Sequence, residues 1–199
     1  MRVMKYMALA LAFLLLVAYL AGYFLPDKAH VERSIDINRS PADVFAVLNS
    51  PQQFNRWSPW YEANKKFGTT YSYHGPDNGV GASIRWQAAN IVSAGDHRGE
   101  MKITASRPHE SVVYALLFEN REPAITRFDI KALPGNRSRV TWSYDANFGN
   151  SVIGRYFGLI LDRAVGPDYE AGLRNLRTVL EDSAESPDDK APAAETTAG

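Results

Sequence analysis

SVIGRYFGLILDRAVGPDYEAGLRNLRTVLE (151–181) is the stretch that decides the fold. Ile153, Phe157, Ile160 and Ala164 recur at steps of three and four. After Gly166-Pro167 the spacing returns as Tyr169, Leu173, Leu176 and Leu180. That period belongs to a helix with one buried stripe. Arg155, Asp162, Arg163, Glu170, Arg174, Arg177 and Glu181 fall largely off the stripe. Nearly everything from His30 to Phe148 reads instead as short strands with one helical patch. A curved antiparallel sheet wrapped around the C-terminal helix buries both sets of apolar side chains.

Working outward, VERSIDIN (31–38) alternates Val31, Arg33, Ile35 and Ile37 against Glu32, Ser34, Asp36 and Asn38, as a half-buried strand does. Arg33 is the charge on the otherwise apolar face. Ser40-Pro41, with Asp43 three residues after the cap, starts a helix whose buried side is Val44, Val47 and Leu48. Asn49-Ser50-Pro51 ends it. Phe54, Trp57 and Trp60 at steps of three mark a second short helical turn, and 62–68 is polar and reads as a loop. Further strands are expected at 69–73, 82–88, 99–106, 111–119, 126–133 and 139–145, with a shorter one at 90–94. Residues 111–119 are apolar on both faces, which places them at the centre of the sheet. Short turns between successive strands imply antiparallel pairing. The fold class is α+β.

Two segments stand outside this domain. YMALALAFLLLVAYLAGYFL (6–25) carries no charge over 20 residues. As a helix it spans roughly 30 Å, a bilayer's hydrocarbon thickness. Arg2 and Lys5 precede it, so the positive-inside rule puts residues 1–5 in the cytoplasm and the domain on the far side, periplasmic or extracellular. A cleaved signal peptide and a buried helix are the alternatives. A small-x-small cleavage site is missing at Gly22-Tyr23-Phe24-Leu25. At the other end SAESPDDKAPAAETTAG (183–199) has no large apolar residue and is expected to be a disordered tail. Between them lie a linker, 26–30, and a single domain, 31–182.

Composition excludes several functions. Lys+Arg and Asp+Glu both number 22, with no basic stripe, so a nucleic-acid partner is not expected. Zero Cys removes disulfides, zinc–cysteine sites and thiol catalysis. His30, His74, His97 and His109 sit beside turn or linker residues without HxH or HxxxH spacing, so no metal is assigned. No phosphate-binding loop, dinucleotide fingerprint or GxSxG is present, and no cofactor is expected.

The order of elements, read with VERSIDINRSPADVFAVLNSPQQFNRWSPW (31–60), GEMKITASRPHESVVYALLFE (99–119) and GPDYEAGLRNLRTVLE (166–181), resembles the SRPBCC superfamily, the START-like or helix-grip fold. Within it the chain looks most like the polyketide cyclase/dehydrase-type group. These motifs mark the fold and are not catalytic. The resemblance implies a cavity between the concave face of the sheet and the C-terminal helix. Proteins similar in this way include lipid carriers, plant-hormone binders and aromatase/cyclases.

Trp57, Trp86, Tyr114, Phe118, Phe128, Trp142, Tyr144, Tyr156, Phe157 and Ile160 fall on or near inward positions and are the candidate cavity residues. Each is weighed against simple core filling, which aromatics also do. Gly154 and Gly158 either widen the cavity or permit close helix packing. Arg33 is set either to grip a ligand carboxylate in a bidentate fork or to pair with a helix acid. Catalytic residues are not identifiable. The expected function is a membrane-anchored domain holding a hydrophobic or amphipathic small molecule, a lipid or an aromatic compound. The alternatives are a polyketide cyclase-like enzyme using polar groups such as Tyr144, and an envelope interaction protein with a filled cavity and an unidentified protein partner.

Overall fold

The computed structural model describes residues 2–89, 98–118 and 123–182. The strands are β1 (Lys28–Ile37), β2 (Thr70–His74), β3 (Ser83–Gln87), β4 (Arg98–Arg107), β5 (Ser111–Phe118), β6 (Ala124–Leu133) and β7 (Arg137–Asn147). They form one antiparallel sheet in the order β1-β7-β6-β5-β4-β3-β2. β5, the segment apolar on both faces, is the middle strand, and Val112 and Val113 are both buried. The helices are α1 (Arg2–Gly22), α2 (Pro41–Leu48), α3 (Pro51–Phe54), α4 (Tyr61–Lys66), α5 (Val152–Gly158) and α6 (Leu161–Asp182). This is the helix-grip arrangement: a curved sheet closed by its C-terminal helix.

α6 packs over β1 and β7, while α2 covers β5 to β7. Ser40 caps α2 by accepting from the Asp43 amide at 3.2 Å and donating to the Asp43 carboxylate at 2.7 Å. Leu48, at the end of α2, offers its carbonyl to the Tyr114 hydroxyl at 2.6 Å, which ties α2 to β5. Burial pushes that hydroxyl well above the usual tyrosine range, so it stays a donor. Trp57, Phe128 and Trp142 pack edge-on and tilted at the centre of the core. Trp142 stacks on Tyr169 of α6 at 3.9 Å between ring centroids.

Three expectations are corrected. The polar segment 62–68 is largely helical, as α4, with Glu62 in its first turn and Lys65 and Lys66 in its last. That charge placement suits the helix dipole. No residue of α4 is fully buried, so the segment carries no apolar stripe to read. β1 begins at Lys28, where pairing with Asn147 starts, so most of the expected linker is strand. The long C-terminal helix is two helices. Leu159 and Ile160 donate back only three residues, to Tyr156 and Phe157, and the tightened turn re-aims the chain. The second half keeps the expected stripe, with Tyr169, Leu173, Leu176 and Leu180 buried. The first half does not: Ile153 is 83% exposed, Ile160 52% and Phe157 44%. α5 packs against α1, β1 and α6. The expected strand at 90–94 and the tail at 183–199 lie outside the described residues.

α1 contains a run, Val3–Gly22, long and apolar enough to cross a membrane, and its large apolar side chains are exposed.

Candidate functional site

A cavity of about 440 Å³ lies between the concave face and the helices. Its strand wall comes from inward positions that alternate along each strand: Ile84 and Trp86 on β3, Met101 on β4, Leu116 and Phe118 on β5, Thr126 on β6, Trp142 and Tyr144 on β7. Phe54, Asn55, Ser58, Trp60 and Asn64 close one side from the α3–α4 segment. Phe157, Leu161, Val165 and Tyr169 close the other from α5 and α6. Gly172 sets the spacing here. A Cβ on it would come within 2.7 Å of the Trp142 ring and 3.1 Å of Pro59.

The polar groups of the wall are mostly engaged. The Trp142 indole N–H donates to Thr126 Oγ1 at 2.7 Å, and Thr126 donates to the Ser143 carbonyl at 2.9 Å. Burial pushes the Tyr169 hydroxyl above the usual range, against the smaller lowering influence of the neighbouring Thr126 hydroxyl. The Trp60 indole donates to Asp168 at 2.9 Å. Tyr71 is raised by burial against a lowering hydrogen bond with Asn64. Among the described residues no His, Asp, Glu, Lys or Arg side chain lines this cavity. Nor does any group of three His, Asp or Glu among them fit a metal ion.

Of the candidates named from sequence, Trp86, Phe118, Trp142, Tyr144 and Phe157 stand on the cavity wall. Trp57, Tyr114 and Phe128 lie in the packed core away from it. Arg33 is outside it: its guanidinium bonds Asp162 at 2.8 and 3.1 Å, Glu170 at 3.0 Å and the Glu32 carbonyl at 2.8 Å. Its donors are thus spent on helix acids and backbone, as a charge on an apolar face requires. Tyr156 turns away and donates to the Ala18 carbonyl of α1 at 2.6 Å. Ile160 is exposed off the cavity. Gly154 and Gly158 do not widen it; they make room for the Phe148 ring.

Asn55, Ser58 and Asn64 were not legible as site residues, because they are small polar residues between the apolar positions that periodicity marks. Leu116 was findable, because it shares a face with Tyr114 and Phe118. His30 belongs to β1 and bonds Asp145 at 2.7 Å, and that hydrogen bond holds its pKa above the ordinary value.

A seven-stranded sheet gripping a helix over an apolar cavity is the architecture of an SRPBCC-type protein. Residues 28–181 match the family described as polyketide cyclase / dehydrase and lipid transport, and the chain belongs to it. No curated protein matches the sequence. Among solved structures, a norcoclaurine synthase point mutant from Thalictrum flavum, in complex with a transition-state analogue, is similar at TM-score 0.61. It shares 11% identity, over 79% of this chain and 96% of that one. Protein SA2116 of unknown function from Staphylococcus aureus is similar at TM-score 0.56 and 12% identity, covering 80% and 99%. Protein CV1439 from Chromobacterium violaceum is similar at 0.53 and 15%, covering 78% and 99%. At these identities the likeness is one of fold.

Proposed function

We propose that the protein is a membrane-anchored binder of one hydrophobic or amphipathic small molecule, held in the cavity between sheet and helices. The observation that carries this is the cavity itself: about 440 Å³, walled by aromatic and aliphatic side chains, with the indole N–H groups of Trp60 and Trp142 already paired. Its size lies within the range of small-molecule sites. The family description, which includes lipid transport, agrees. An aromatic compound or a lipid-like chain suits such walls. α1 crosses the bilayer, with Arg2 and Lys5 on the cytoplasmic side and the domain on the far side.

The test compares the full chain with Leu116→Trp, in which an indole narrows the cavity. Both are purified in lipid nanodiscs, extracted with organic solvent and analysed by mass spectrometry. A molecule enriched with the wild type and depleted from the variant identifies the ligand. Identical extracts reject the proposal.

A second reading is turnover of the bound molecule. Its polar corner would be the Tyr169 hydroxyl, which lines the cavity and is kept protonated by burial; it would have to turn from Thr126 to donate to a substrate carbonyl. It lacks a base: the ionisable side chains on the described wall are tyrosines.

A further inference from the structure

We propose that α5 is seated in the interfacial layer of the bilayer beside α1, so that the cavity opens into lipid. This rests on the membrane span proposed for α1 and adds a second contact with the same membrane.

The first observation is a clamp between α5 and the end of α1. Arg155 Nη1 donates to the carbonyls of Tyr23 at 2.7 Å and Leu25 at 3.2 Å. Its Nε and Nη2 donate to Gly149 O at 3.0 and 2.8 Å. The Tyr156 hydroxyl reaches the Ala18 carbonyl. Gly22 faces Val152 and Tyr156 so closely that a Cβ there would collide with both. α5 is therefore fixed at the level of residues 18–25.

That level sets a depth. Ala18 lies inside the apolar run, about 6 Å of helix before α1 ends at Gly22. Interfacial helices bury their apolar face about 5–10 Å. Tyr19 and Tyr23, whose hydroxyls are 2.9 Å apart, lie at the same end, where tyrosines gather at membrane surfaces.

The third observation is what α5 and the turn after it present. Ile153, Leu159 and Ile160 are exposed, and Phe24 beside the clamp is 91% exposed. Between 151 and 161 the single charged residue is Arg155, whose donors are spent on backbone carbonyls. Exposed apolar groups in such density mark a contact surface. Continuity with α1 selects the bilayer as its occupant. Phe157 lies on the stripe of Ile153 and Ile160 and also lines the cavity, so the apolar surface runs from the exposed edge of α5 into the cavity.

The chain has no Cys, so single substitutions can carry an environment-sensitive nitrobenzoxadiazole label. Ile153→Cys, Ile160→Cys, Leu11→Cys and Val80→Cys are each labelled in the full chain. They are reconstituted in phosphatidylcholine/phosphatidylglycerol vesicles with or without lipid spin-labelled high on the acyl chain. Ile153→Cys and Ile160→Cys should lose most of their emission to the spin label, as Leu11→Cys does, while Val80→Cys does not. If Leu11→Cys is quenched and the labels at 153 and 160 both behave like Val80→Cys, α1 spans and the α5 proposal fails. A blue-shifted but unquenched α5 label would assign the face to a second copy or another protein and equally overturns it. If Leu11→Cys itself is unquenched, the anchor fails and α5 falls with it.

Discussion

The guanidinium of Arg33 lies in the notch that Gly166 leaves on α6, in space a Cβ would take. Asp162 and Glu170 stand one turn to either side, at steps of four, and both bond the guanidinium. Three residues of one helix face thus receive a charge from the inward face of β1. Gly166→Ala should lower stability by about 1–3 kcal/mol, because the Arg33 side chain must leave its place. In an Arg33→Ala background the same change should be neutral, or stabilising by up to about 1 kcal/mol, since Ala is the better helix former. Denaturant unfolding followed by tryptophan fluorescence measures both. Equal costs in the two backgrounds would show that Arg33 and Gly166 are not coupled.

Phe128 and Leu116 separate core from cavity. Phe128 is fully buried and touches the rings of Trp57, Tyr114 and Trp142. Phe128→Ala should cost about 3–5 kcal/mol. Leu116 faces open volume, so Leu116→Ala removes fewer contacts and leaves no new closed void. It should cost less than half as much. Comparable losses in the two variants would mean that the cavity is closed up in solution.

Acid and alkaline limits should come from different pairs. Arg33 holds the Asp162 carboxyl below its ordinary value, and Arg139 does the same to Asp36 through bonds of 2.6 and 2.9 Å. Their contribution is present above the unfolded carboxylate pKa of about 3.9 and is lost as pH falls through the depressed folded values. His30 is raised by Asp145, so its contribution is complete below about pH 6.5 and fades as pH rises through its folded pKa. All three pairs are largely exposed, so each effect is small. An NMR titration should place the His30 imidazole above the free value, and Asp145→Asn should lower it towards that value, with Glu32 left as the smaller contributor. No change on that substitution would remove Asp145 as the cause.

The fold was legible because strand and helix periods are written in long apolar alternations such as Val31–Ile37, and in the Tyr169–Leu180 stripe. α5 misled for a physical reason: Ile153, Phe157 and Ile160 do form a stripe, but the helix breaks at 159–160 and the stripe is left largely exposed, with Phe157 alone of the three reaching the cavity wall. Periodicity reports that a face is apolar and not what covers it. The same limit applies to the aromatics. Trp57 and Trp60 are three residues apart on one segment, yet Trp57 is core and Trp60 is cavity wall. That partition depends on the curvature of the sheet, which no local pattern encodes.

Thr126 is where the cavity wall and the core share a hydrogen-bond network. Its hydroxyl accepts from the Trp142 indole, donates to the Ser143 carbonyl and meets the Tyr169 hydroxyl. Thr126→Val preserves shape but orphans a buried indole N–H, and should cost about 1–3 kcal/mol. Tyr169→Phe leaves the Trp142–Thr126 bond intact and removes a single hydroxyl, for about 0.5–1.5 kcal/mol. The ordering is the test. A Thr126→Val variant no less stable than Tyr169→Phe would show that Trp142 finds another acceptor, and the cavity's polar corner would then be free to serve a ligand instead of the fold.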